Sequence, residues 1–161
     1  MTFRNPAFKQ GYDLVCHSQG AVTCRALIQE PAPGISSFVS LAGTQMGVYG
    51  DGWMAAFPQQ LRNMTISNAY ELAYQDWAQM SLSPANLWHD PKHEPLFLAK
   101  NRFLPAMLGL QGESSDRARR KRNFLNLARA SFLVGNFSQT SFDKGIDPWV
   151  SGVFGFYDAS G

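Results

Sequence analysis

A chain of 161 residues with 45% hydrophobic and 16% charged residues has the size and composition of one globular domain able to bury a core. A net charge of +2 is too small to argue for nucleic acid or an acidic partner, and no run is long and apolar enough to suggest a membrane span. The amino terminus, Met1-Thr2-Phe3-Arg4-Asn5-Pro6, places a charge and a proline where a signal peptide needs an apolar centre, so none is expected there.

Residues 12–16, Tyr-Asp-Leu-Val-Cys, form a short apolar run that reads as a buried strand. Residues 20–29 carry Ala21, Val22, Cys24, Ala26, Leu27 and Ile28 and stop before Pro31 and Pro33, as a buried helix would. Pro33-Gly34 punctuates the chain, and residues 35–42 read as a second strand ending in a loop at Gly43. Strand, helix and strand joined by a crossover predict a parallel sheet. Residues 44–115 are aromatic, Met-rich and turn-rich, with short helices expected around Met54 and over 66–80; an insert of this length between sheet elements predicts a cap over a pocket. Residues 116–127 read as a helix and 130–135 as a third strand, which leads to a loop holding Asp143 and Asp147. The fold class is therefore α/β, a partial α/β-hydrolase fold with parallel strands and an inserted helical cap. Its core segments are about residues 9–43 and 116–161.

Cys16-His17-Ser18-Gln19-Gly20 lies where the first strand turns into the first helix. A serine on such a sharp turn exposes its hydroxyl at the sheet edge, with backbone donors beside it. Cys16 replaces the first glycine of the G-x-S-x-G pattern and is small enough to stand in for it, and Gly20 is expected to supply one of the small neighbours that keep the turn clear of the helix. Ser18 is the candidate nucleophile, and the backbone N–H of Gln19 is a candidate oxyanion donor. Asp143, early in the loop after the third strand, is the first choice for the acid, with Asp147 second because a residue before proline is easily a turn residue.

Of the three histidines, His17 should point away from Ser18 as a packed or hydrogen-bonding neighbour. His89 and His93 have the spacing of a helical zinc pair, but Pro91 between them argues for a turn at Trp88-His89-Asp90-Pro91. No metal or other cofactor is expected. Cys16 and Cys24 are expected to be buried small apolar residues rather than a disulfide framework. The run from 117 to 122 contains five of the fourteen basic residues and is read as the solvated face of an amphipathic helix. Asn63-Met64-Thr65 and Asn136-Phe137-Ser138 match the N-glycosylation acceptor, which matters only for a secreted protein.

Together with Lys9-Gln10-Gly11-Tyr12, Gln45-Met46-Gly47-Val48-Tyr49-Gly50 and Phe154-Gly155-Phe156-Tyr157, these residues make the chain resemble the palmitoyl-protein thioesterase family of lysosomal α/β-hydrolases. The resemblance runs over nearly the whole chain. It implies Ser18 as nucleophile, Asp143 as triad acid, and a lysosomal or secreted location. The substrates it implies are S-acylated proteins or fatty acyl thioesters. A thiolate leaves readily because a cysteine thiol has a pKa of about 8.5, and an apolar groove would gain roughly 0.8 kcal/mol per buried methylene. The family also carries a signal peptide, early strands and an oxyanion loop before the matched region, and a final strand and catalytic histidine after it. None of the three histidines follows the acid, so the chain is expected to be an inactive middle portion of such an enzyme. An esterase or lipase acting on oxygen esters, and a non-catalytic fragment binding lipid or a partner, are the alternatives. The oligomeric state is left open.

Overall fold

The computed structural model describes residues 5–31, 34–54, 59, 65–127, 129–133 and 147–157. Strands β1 (Tyr12–His17), β2 (Ile35–Leu41) and β3 (Arg129–Leu133) form a parallel sheet in the order β1-β2-β3. Leu14 pairs with Phe38 and Cys16 with Ser40 across the first ladder. Parallel neighbours need a crossover. Helix α1 (Gln19–Gln29) supplies the first, and among the described residues the connection from β2 to β3 carries the other α-helices.

The inward stripe of α1 is Ala21, Val22, Arg25, Ile28 and Gln29, spaced as one face of a 3.6-residue helix. Glu30 leaves the helix in an extended conformation ahead of Pro31. Ala21 and Ile28 pack with Cys16 and Phe38 into the sheet's core, joined by Phe124 and Leu127 from helix α8 (Ser114–Leu125) and its end. β1 alternates rather than being buried throughout: Cys16 is covered, whereas Val15 on the other face is 66% exposed. The described residues cover only one face of this strand, which is why the expectation of a buried strand fails.

Between the sheet elements lie α2 (Asp51–Met54), α3 (Ala69–Ala73), α4 (Asp76–Ser81), α5 (Ser83–Leu87), α6 (Glu94–Lys100) and α7 (Leu104–Met107). Proline stands in the first turn of α5, α6 and α7, where its missing N–H costs nothing. Over 66–80, where short helices are expected, the chain forms α3 and α4 with a break at Tyr74-Gln75. Buried amides satisfy the orphan groups of these short helices. Gln79 Nε2 donates to the carbonyls of Ala73 (2.6 Å) and Ala85 (2.8 Å). Asn101 Oδ1 accepts from the N–H groups of Phe103 and Leu104. A second core gathers Trp88, Phe97, Leu104, Tyr74 and Val48, and Val22 of α1 reaches into it.

Candidate active site

Ser18 sits between β1 and α1 with φ 52° and ψ −128°, a left-handed conformation that an L-residue holds only at a cost. Two backbone bonds hold it there: Ser18 N–H donates to the Leu41 carbonyl (2.8 Å), and Ala21 N–H donates to the Ser18 carbonyl (3.0 Å). The first ties the turn to the end of the neighbouring strand. The Ser18 side chain does not cap α1, and no described residue hydrogen-bonds its hydroxyl. Gln19 is the first residue of the helix, where backbone N–H groups lack intrahelical partners.

Close packing at this turn depends on Gly43 rather than on Gly20. A Cβ on Gly20 would meet nothing within 4 Å, whereas one on Gly43 would run into Ser40 Oγ, lie 2.8 Å from Ala21 Cβ and lie 2.8 Å from Gln45 Nε2. Gly43, in the loop after β2, is therefore what lets the start of α1 come so close. Cys16 and Cys24 depart from expectation, because they form a disulfide. The turn at Ser18 folds α1 back along β1 and brings the two Cα atoms to 6.6 Å, within bridging range. The only signal in the sequence was one cysteine on each side of the predicted turn.

His17 is exposed rather than packed. His89 is enclosed: its Nδ1 lies 2.8 Å from the Met46 carbonyl and its Nε2 2.9 Å from Glu94 Oε2, and the ring stacks between Phe97 (3.9 Å) and Phe156 (4.1 Å). His93 Nδ1 lies 2.9 Å from Asp90 Oδ2, with its ring stacked on Tyr70 at 3.7 Å. Asp90 also accepts from Lys92 N–H and donates its own N–H to the Tyr74 hydroxyl. Burial, reinforced by the Asp90 charge, pushes that phenol well above its usual range. Around Pro91 the chain forms a short 3₁₀ turn, Pro91–His93, so both histidines brace this loop against the neighbouring helices.

Asp147 is similarly occupied. Its carbonyl accepts from Tyr49 N–H (2.6 Å), its carboxylate accepts from the Tyr157 hydroxyl, and its side chain fills the space beside Gly50. Burial, with help from the Asp147 hydrogen bond, raises Tyr157 to about 12. Ser18 and Asp147 share no hydrogen bond among those of the described residues. Asp143 lies outside the described residues, as do Asn63, Met64, residues 136–138 and the last two residues of the expected third strand. Among the described residues no cluster of three or more His, Cys, Asp or Glu side chains could hold a metal ion, and no helix is long and apolar enough to cross a membrane.

A family model of palmitoyl protein thioesterases matches residues 2–161. The chain belongs to the palmitoyl protein thioesterase family. It is 40% identical over 156 residues to the lysosomal thioesterase PPT2 of Bos taurus and 38% identical over 156 residues to that of Homo sapiens, matches that take in 94% of this chain and 47% of each relative. Palmitoyl-protein thioesterase 1 of Caenorhabditis elegans is 29% identical over 155 residues, 95% of this chain and 49% of that protein. The chain thus spans about half the length of the curated relatives it matches.

Proposed function

We propose that this chain is the nucleophile-bearing part of an α/β-hydrolase that cleaves long-chain fatty acyl thioesters from protein cysteines. The supporting observation is Ser18, held in a left-handed turn between a parallel strand and its crossover helix, in a chain that matches the family from residue 2 to residue 161. Ser18 attacks the thioester carbonyl, the Gln19 N–H helps bind the oxyanion, and the acid is Asp143 rather than Asp147, whose carboxylate already receives the Tyr157 hydroxyl. Residues 44–115 form the cap. His17, His89 and His93 are not the base in this reading; that histidine comes from outside these 161 residues, and the chain alone turns over no substrate. Lysosomal residence is part of the proposal, supported by the names of the relatives and by the Cys16–Cys24 disulfide, a bond favoured in oxidising compartments.

A serine-directed fluorophosphonate probe tests the proposal. The expected result is labelling of a full-length protein containing this chain, abolished by Ser18→Ala, and none of the isolated chain. Labelling of the isolated chain that Ser18→Ala removes would overturn its inactivity. A full-length protein that does not label would overturn the hydrolase reading, and faster turnover of oxygen esters than of thioesters would overturn the substrate class.

A further inference from the structure

Arg25 stands on the buried face of α1, 1% exposed, and neither its Nε nor its Nη2 has a hydrogen-bond partner among the described residues. The Phe154 ring lies 5.3 Å from its Cζ and offers a cation–π contact, but that leaves the N–H donors unmet. A buried cation with unused donors is costly unless an anion reaches it. Burial lowers its pKa to about 10, so the side chain is still a cation at neutral pH.

Arg25 lines an open groove of about 630 Å³ between α1, the end of α7 and α8, within the usual size range of small-molecule sites. Arg117, Arg120 and Lys121 line it too, and no acidic residue does among the described residues. Glu30 holds Arg120 through its Nε, while no described carboxylate pairs with Arg117 or Lys121. The rest of the lining is mostly apolar, including Met107, Phe124 and Leu125, and Leu125 is 69% exposed. Cations around an apolar wall fit a molecule with an anionic head and a hydrocarbon chain better than a free ion, and several cations with a guanidinium at the base favour phosphate.

We propose that this groove binds a single-chain phospholipid, its phosphate against Arg25 with Arg117 and Lys121 at the mouth, and its hydrocarbon along Met107, Phe124 and Leu125. Ser18 is not part of the groove, so the proposal stands or falls independently of the thioesterase reading.

Calorimetric titration of a full-length protein containing this chain, carrying Ser18→Ala to prevent turnover, tests it with palmitoyl-lysophosphatidate, monopalmitoylglycerol, palmitate and inorganic phosphate. Lysophosphatidate is expected to bind one site at least about 10-fold more tightly than the other three, a gap of about 1.4 kcal/mol. Arg25→Gln is expected to remove that preference. If Arg25→Gln does not fold, the surface pair Arg117→Ser and Lys121→Ser is expected to weaken lysophosphatidate binding several-fold and leave monopalmitoylglycerol binding unchanged. Equal binding of monopalmitoylglycerol, palmitate or inorganic phosphate would overturn the proposal, as would lysophosphatidate binding unaltered by either set of variants.

Discussion

At Ser18 the backbone holds a φ of 52° that only glycine takes without strain, and it does so where two backbone hydrogen bonds leave little freedom. Strain of this kind costs on the order of 1–3 kcal/mol. Ser18→Gly is therefore expected to stabilise the chain by about 1 kcal/mol, read as a higher urea midpoint, while removing the proposed nucleophile. An Ala substitution that keeps φ positive does not gain in this way, so Ser18→Gly and Ser18→Ala separate strain from loss of the hydroxyl. The two glycines near the turn make a second pair. At Gly43 a new methyl meets Ser40, Ala21 and Gln45, all packed, so Gly43→Ala should cost about 1–3 kcal/mol. At Gly20 the same methyl meets open space in a helix, and Gly20→Ala should be neutral or gain up to about 1 kcal/mol. Equal midpoints for the two variants would show that Gly43 is not the clearance on which the turn depends.

Among the elements, α1 is the hinge of the arrangement. A disulfide fixes its second turn to β1, and Glu30 at its end receives Arg119 (2.8 Å) and Arg120 (3.1 Å) of α8. The Arg119 hydrogen bond is the main cause holding the Glu30 carboxyl below its ordinary range, with Arg120 adding to it against a desolvation penalty. A carboxyl depressed in the folded state contributes stability above its unfolded pKa and loses it as pH falls through the folded value. The native chain should therefore have a higher urea midpoint than Glu30→Gln near neutrality, with the gap closing as pH falls below the ordinary glutamate value of about 4.3. The gap should be small, because the Glu30 side chain is 44% exposed and screened by solvent. β1, α1, β2 and α8 were legible within a few residues because their apolar periods end at clear stops such as Pro31 and Gly34. Helices α5 to α7 were not anticipated. Each has seven residues or fewer, and side chains distant in sequence, such as Gln79 and Asn101, fix their ends. The turn at Ser18 can be placed from Cys16-His17-Ser18-Gln19-Gly20, but the close approach at Gly43 cannot. Room around a glycine depends on what packs against it, and that is not written locally. The same holds for the disulfide, since separation along the chain does not say that two side chains face each other.

On the scale of the molecule, two cores meet at α1: Ala21 and Ile28 belong to the sheet's core and Val22 to the one around Trp88. The His89 ring between Phe97 and Phe156 then ties the aromatic segment around Phe156 to α6. Stability should be concentrated there and thin at β1, an edge strand among the described residues, with Val15 uncovered on its open face. Phe97→Ala removes a fully buried ring and one side of the His89 stack, and should cost about 3–5 kcal/mol. That is a large share of the 5–15 kcal/mol typical of a domain, so near-complete loss of the cooperative urea transition is expected. Val15→Lys should shift the midpoint by less than about 0.5 kcal/mol, because it replaces a side chain already in water. It should, however, reduce concentration-dependent association in sedimentation velocity, since a lysine on an open strand edge discourages pairing with a second sheet. If Val15→Lys instead unfolds the chain, the outer face of β1 is covered in solution and the distribution of stability drawn from the two cores is wrong.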